Sequence, residues 1–283
     1  MAKLTERAVL AQLSLSMWTA RKQDKRVTRE AINANGAADG AGRFHKALLP
    51  MCEALEDVHA SGREVRRFFY EKTLDWGLEG TRLLPSAIYL DFMSDLRKRK
   101  DDWDHLVRMF LRDYDTFVGE ARTSLGSMFS DADYPSAADV ANKFRINVNI
   151  MPVPENDFRV DLPEAEIADM QRAVEARLVD AQAAAMRDVW TRLYDVVQKA
   201  HEKLAQPDAI FRDSLTENIK ELCAILPKLN ITDDEQLEAL RLDALVKLGN
   251  AKPDALRLDP ALRSKKAADA KAIMDKMAGL FGE

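Results

Sequence analysis

The residues whose type and spacing best suggest binding chemistry are basic, and they gather beside a tryptophan near the start of the chain. Residues 21–29 carry Arg21, Lys22, Lys25, Arg26 and Arg29, with Asp24 as the one acidic residue among them. Trp18 precedes them, Arg63, Arg66 and Arg67 form a second basic group, and Arg97–Lys100 a third. Cations next to aromatic rings can hold single-stranded nucleic acid by phosphate contact and base stacking. Solvated surface charge is the ordinary alternative. Across the chain, 47 Asp and Glu outnumber 42 Lys and Arg, for a net charge of −5 and a pI near 5.6. That balance excludes a dedicated duplex-DNA coat, which needs a broadly basic surface to neutralise phosphates.

The residue types of catalysis are present without its spacing. None of the four histidines, His45, His59, His105 and His201, falls in an HExxH pattern. Asp101, Asp102 and Asp104 beside His105 read as a solvated helix face. The run NGAADGAG (35–42) could offer backbone amides to an anion if it opened a helix, but no Lys-Ser or Lys-Thr follows, so it is no P-loop. There is no GxSxG, and Cys52 and Cys223 sit in apolar contexts, MCEAL and ELCAIL, that suit buried free thiols. No catalytic residue, cofactor or metal is expected, and the chain is not expected to be an enzyme. No apolar run approaches the ~18 residues of a membrane span, and MAKLTERAVLAQL lacks the apolar core of a signal peptide. The expected location is cytoplasmic.

The elements that must position these residues are mostly helices. Hydrophobic residues make up 47% and charged residues 31% of 283, which predicts a folded, highly charged, elongated protein. Thr28 can cap a short helix ending at Asn35-Gly36, and 43–72 reads as helix with Pro50 kinking or restarting it. DWGLEGTRLLP (75–85) reads as loop. A long helix over 86–125 carries Ile88, Phe92, Leu96, Trp103, Leu106, Phe110, Tyr114, Phe117, Ala121 and Leu125, with Arg99 in RKRKDD falling where an apolar residue is due. That block should mark a bend or the loss of a partner. A second long helix should begin at Pro163 and end by Gln206. Its stripe is Ile167, Met170, Val174, Leu178, Ala181, Ala185, Val189, Leu193, Val196, Ala200 and Leu204. Both stripes follow an eleven-residue rhythm, so the two helices could pack antiparallel along most of their length.

Between them, apolar and polar residues alternate. Phe144, Ile146, Val148 and Ile150 share one face of a strand, and Phe158, Val160 and Leu162 share a face of another. With Gln12–Thr19 these predict a small antiparallel sheet over about 12–19, 144–151 and 156–162. Its apolar face needs cover, so Ile146, Val148, Ile150, Phe158 and Val160 are candidate assembly contacts. Ser136 should cap a short helix to Ala141, and Thr232 to Glu235 form a capping box. KPDALRLDPALRSKK reads as a charged linker before a last amphipathic helix. The fold class is therefore mainly α, an elongated bundle with a small β element. Residues 1–206 form the main domain, and 207–283 a C-terminal helical segment.

WTARKQ (18–23), GRFHKALLP (42–50), RRFFYEKTLDWG with TRLLP (66–85), and DYP followed by KF…PVP…DFRV (133–160) occur together. This combination resembles a family of phage and prophage proteins classed as a domain of unknown function. The resemblance extends over most of the chain and is most specific over 12–162. It implies a phage or mobile-element origin, hence the cytoplasm of a bacterial host. It also implies association with a MoxR-like AAA+ ATPase and a von Willebrand factor A-type protein, which members are often encoded beside. It carries no active-site residue. Three functions follow as expectations. One is assembly, either with itself or as an adaptor of an ATPase-type complex. Another is a single-stranded nucleic-acid-binding or annealing role in replication or recombination. Inhibition of a host factor is a third. No membrane partner is expected.

Overall fold

The computed structural model describes residues 4–155, 162–206 and 212–281. In chain order the elements are α1 (Leu4–Arg7), β1 (Ala8–Ser16), β2 (Arg21–Gln23), α2 (Lys25–Ala34), β3 (His45–Ala47), α3 (Glu53–Lys72), β4 (Leu74–Asp75) and β5 (Thr81–Pro85). There follow α4 (Tyr89–Arg112), α5 (Tyr114–Leu125), α6 (Ala137–Ala141), β6 (Arg145–Pro152) and α7 (Glu164–Ala205). The chain ends in α8 (Ser214–Leu229), α9 (Glu235–Ala244), α10 (Pro253–Leu258) and α11 (Pro260–Phe281). The protein is mainly α with a small antiparallel β component. No helix among the described residues is long and apolar enough to cross a membrane.

Two compact units divide the chain. The first comprises Met1–Gln12, Tyr70–Leu90 and Asn149–Glu283, the second Leu13–Phe69 and Asp91–Val148. Position 206, the expected domain boundary, lies inside the first unit.

In the first unit, β1 pairs antiparallel with β5 from Ala8↔Pro85 to Gln12↔Thr81, and β4 pairs with β5 at Leu74↔Leu83 and Asp75↔Arg82. The sheet order is β4-β5-β1-β6. Within 75–85, where the sequence reads as loop, Asp75 and Thr81–Pro85 are strand and 76–80 form the turn between them. Gly77 and Gly80 carry the turn at positive φ of 73° and 75°, and Leu83 and Leu84 of TRLLP are fully buried. Burial of that two-residue apolar pair outweighs the turn signal around it. The strand expected at 12–19 begins earlier, at Ala8, and ends at Ser16. The one expected at 144–151 appears as β6. Residues 156–161 of the third expected strand, Phe158 and Val160 among them, lie outside the described residues, and Leu162 sits in a bend.

α7 is the longest helix, 42 residues between Pro163 and Gln206. Glu164 and Glu166 occupy its first turn, where the helix dipole favours negative charge. Its buried residues are Ala181, Ala185, Val189, Leu193, Val197, Ala200 and Leu204. Val197 takes the place expected for Val196. Within the unit α7 packs chiefly on α11, which buries Ala267, Ala270, Ile273 and Met277, and on α8, which buries Ile219, Cys223, Leu226 and Leu229. Ala200 on α7 and Ala267 and Ala270 on α11 are small buried residues, and a His201 ring nitrogen lies 2.9 Å from the Ala267 carbonyl. α10 occupies part of the expected charged linker and buries Leu256 against Leu204 and Ala267. Asp234, not Thr232, caps α9 by accepting from the amides of Gln236 and Leu237.

In the second unit α3 and α4 are antiparallel. The Trp103 indole donates to the Val58 carbonyl at 3.1 Å, while ten residues later in α3 Phe68 stacks on Phe92, eleven residues earlier in α4, at 5.3 Å. At Gly62 a Cβ would press on the Met17 sulfur, near the end of a flexible side chain, and crowd the Trp103 indole. Phe110 lies at the centre of an aromatic cluster with Trp18, Tyr114, Phe117 and Phe144, at centroid distances of 5.8–6.4 Å. α4 runs unbroken through RKRKDD. Arg99 places its guanidinium 4.2 Å from the Phe68 ring centre, so a cation fills the gap in the apolar stripe by lying over an aromatic face. The interruption comes instead at Asp113, between α4 and α5. The helix expected from residue 43 begins only at Glu53, because 45–47 pair with β2. Asp24, not Thr28, caps α2 by accepting from the Val27 amide. Ser136 caps α6 as expected.

Phe110 is fully buried among four aromatic rings. Phe110→Ala should lower the stability of the second unit by about 3–5 kcal/mol. Urea unfolding followed by circular dichroism measures this, and a loss under about 1 kcal/mol would show that the cluster does not hold the unit together.

Candidate interaction surfaces

The basic segment folds as a small module of the second unit. β2 and β3 form a two-stranded ribbon in which Arg21 faces Ala47, Lys22 faces Lys46 and Gln23 faces His45. Directly opposite residues share a ribbon face. Arg21, Gln23 and His45 therefore point one way, and Lys22 and Lys46 the other. Lys46 is only 6% exposed. Its ammonium lies 2.7 Å from Asp133 and 3.6 Å from Asp24, and it donates to the Met128 carbonyl. Lys22 reaches the second oxygen of Asp133, also at 2.7 Å. A buried ammonium stripped of water requires such partners. Tyr134 next to Asp133 donates to the Leu48 carbonyl at 2.7 Å and stacks on Phe129. The ribbon is thereby clamped onto residues 126–135. Burial raises the Asp133 pKa, but hydrogen bonds from Lys22 and Lys46 outweigh it and hold the carboxyl below its ordinary value. The Val27 amide does most to lower that of Asp24.

The clamp decides which of the expected contact residues are accessible. Trp18 is 9% exposed, with its ring against Phe110 and Tyr114 and its carbonyl 2.9 Å from His59 Nε2, so it offers no face for a base to stack on. This corrects its expected role: the aromatic beside the cations belongs to the core. Arg21, Lys25 and Arg29 are exposed. Arg26 is exposed but pairs with Glu30 at 2.8 Å, and Lys22 is held by Asp133. Arg63, Arg66 and Arg67 lie exposed on α3, with Arg67 paired to Glu64. The sequence reading missed three neighbours from GRFHK: Arg43 and His45, both exposed, and Phe44, which is 38% exposed. The Phe44 amide donates to the Thr28 hydroxyl at 3.0 Å, and its carbonyl accepts from the Asp24 amide at 3.0 Å. The NGAADGAG run leads into β3, not into a helix.

The densest polar cluster in the first unit centres on Asp188 of α7. Its carboxylate accepts from the Asp75 amide at 3.1 Å, from Arg82 at 3.0 Å and from two nitrogens of Arg192 at 3.0 Å each. Arg192 also donates to the carbonyls of Tyr70, Glu71 and Thr73 at 2.6–3.0 Å. An open cavity of about 400 Å³ adjoins it, lined by Asp75, Arg82, Ala184, Arg187, Asp188 and Thr191. With four donors on it, Asp188 is fixed as a structural acceptor and is poorly placed to take a proton from a substrate. Burial pushes the Cys223 thiol up to about 11, away from the thiolate that reacts, and also raises half-buried Cys52.

The apolar surface is distributed unevenly along α7. No α7 residue before Ala181 is buried, and Ile167, Met170, Val174 and Leu178 are half-buried. Val179 is 69% and Leu162 48% exposed. Among the expected assembly contacts of β6, Ile146 is buried, and Val148 and Ile150 are half-buried.

Removing the Lys46 ammonium would take one of the two ammonium partners from the Asp133 carboxylate. Lys46→Met should destabilise the second unit by about 3 kcal/mol. Because the folded pKa of Asp133 is depressed, its stabilisation is present above the ordinary carboxylate range near ~4 and is lost as pH falls through the lower folded value. The stability gap between wild type and Asp133→Asn should therefore close between about pH 5 and pH 2. Urea titrations across that range check the sign, and a gap that widens on acidification would refute the clamp. No family model, curated protein or solved structure matches the chain.

Proposed function

We propose that the protein works by helix-to-helix assembly, with the N-terminal half of α7 as the docking element. The observation that carries this reading is the mismatch between stripe and burial. The apolar rhythm runs from Ile167 to Leu204, but full burial begins only at Ala181. Four stripe positions, Ile167, Met170, Val174 and Leu178, thus retain apolar surface that a second helix could cover. The eleven-residue spacing suits a nearly straight helical partner, and an antiparallel pairing of two long helices from separate copies is one arrangement that meets it. Residues 164–180 carry five acidic and two basic residues, so a partner helix with basic flanks would bind more strongly than a second acidic one. The family resemblance supplies a class for that partner, an AAA+ ATPase-type protein, and a phage setting. In this reading the protein is an adaptor rather than a catalyst.

Replacing Val174 and Leu178 together with Asp changes only half-buried positions. The wild type should scatter light as an oligomer at micromolar concentration, or join the AAA+ ATPase-type protein when it is added. The double variant should remain monomeric and unbound, with an unchanged circular dichroism spectrum. A wild type that stays monomeric and forms no complex with that ATPase defeats the proposal. So does a double variant that associates as the wild type does.

A further inference from the structure

Apart from any helix docking, we propose that the α2–β2–β3 module is a binding surface for single-stranded nucleic acid. Residues 21–47 carry seven Lys or Arg and three Asp or Glu, a local charge of +4 in a chain of net −5. The structure separates these charges into two groups. Lys46 and Asp24 lie in the buried clamp, and Lys22 is drawn to Asp133. Arg21, Lys25, Arg29 and Arg43 are exposed, and none of the four forms an ion pair among the described residues. Arg26 adds a fifth cation, shared with Glu30. The clamp therefore holds two lysines and both nearby aspartates out of the way while four arginine and lysine side chains face water on a fixed scaffold.

The module also carries an aromatic residue that the sequence pattern hides. Phe44 keeps 38% of its surface exposed although its backbone is held on both sides, by Thr28 and by Asp24. A partly exposed ring on a rigid backbone loses little entropy when a base stacks on it, and Arg43 and His45 flank it in sequence. Thr28, which receives its amide, lies on α2 between Lys25 and Arg29, so ring and cations belong to one neighbourhood. Phosphate contact along α2 and stacking on Phe44 are the two components of sequence-tolerant single-strand recognition. Duplex DNA fits less well, since four or five cations on a short helix and ribbon give no stripe to follow the groove, and a stacked duplex offers no free base face.

Fluorescence anisotropy with a labelled 20-nucleotide oligo-dT and the full-length chain tests this. With about four phosphates neutralised, affinity should fall roughly 50-fold between 50 and 200 mM salt. Phe44→Ala should weaken binding about tenfold with little change in the salt slope. Combined Arg21→Glu, Lys25→Glu and Arg29→Glu should abolish it, and a matched duplex should bind more weakly than the single strand. Absence of binding at 50 mM salt overturns the proposal. Unchanged affinity in the triple variant or in Phe44→Ala does so as well, as does duplex affinity equal to that of the single strand. If the triple variant fails to fold, the wild-type salt slope and Phe44→Ala still decide. The α7 variant Val174→Asp/Leu178→Asp should bind the oligonucleotide like wild type, which keeps this result separate from the assembly test.

Discussion

The organisation of the second unit depends on one buried ammonium. Lys46 sits on the inner face of a three-residue strand and has lost almost all of its water. An isolated charge there would cost several kcal/mol, so the fold must bring carboxylate to it. Asp133 comes from a segment more than eighty residues away, Asp24 from the start of α2, and the Met128 carbonyl completes the set. Satisfying this single group fixes the register of β2 on β3, the origin of α2 and the path of residues 126–135. A two-stranded ribbon with three-residue strands would be marginal by itself. The clamp, together with Tyr134 bonded to Leu48, supplies the missing constraint.

The first unit uses the same device with a different cation. Arg192 gathers the carbonyls of Tyr70, Glu71 and Thr73, and Asp188 one turn earlier on α7 holds Arg192 and Arg82 together. A planar guanidinium suits this task better than an ammonium, because its fixed fork of donors can serve several carbonyls and a carboxylate at once. Helix α7 thereby has two kinds of surface along its second half. Apolar residues such as Val189 and Leu193 turn to the helical core, and Asp188 and Arg192 anchor the backbone at 70–75. Before Ala181 no described α7 residue is fully buried, and Arg177 lies over the Trp76 ring.

Much of this architecture could be read from residues with strong local physics. Pro163 and Gln206 bracket α7 because proline cannot continue a helix backward and Pro207 cannot extend one forward. Ser136 caps α6, and the alternation around Ile146 and Val148 marks β6. What could not be read depended on distant partners. TRLLP looks like loop after two glycines, and only pairing with Ala8–Gln12 makes it strand. Arg99 looks like an interruption until Phe68 is placed beneath it. Trp18 beside five cations resembles a stacking platform, yet Phe110 and Tyr114, nearly a hundred residues away, draw its ring inward. Conversely Phe44, which did not stand out in the sequence, is left partly exposed with its backbone held by Thr28 and Asp24.

The segments that stand out in the sequence are the ones these constraints occupy. WTARKQ contributes Trp18 to the aromatic core and β2 to the ribbon. GRFHKALLP contributes Lys46 and the buried pair Leu48 and Leu49, and DYP contributes Asp133 and Tyr134 to the clamp. RRFFYEKTLDWG and TRLLP contribute Phe68 and Phe69, the buried Thr73 and Trp76, and β5. The buried residues of these motifs are thus explained by packing or by satisfaction of a buried polar group, while Arg21, Arg43 and Phe44 in the same segments are exposed. Two chains sharing these motifs would be expected to share the scaffold, because a buried ammonium or a centroid contact tolerates few substitutions. They need not share what the scaffold presents. Lys25, Arg29, Val174 and Leu178 lie outside the motifs and are exposed or half-buried, so fold imposes little on them. Their charge and apolarity, like those of exposed Arg21, Arg43 and Phe44 within the motifs, are therefore better evidence of function than the buried motif residues.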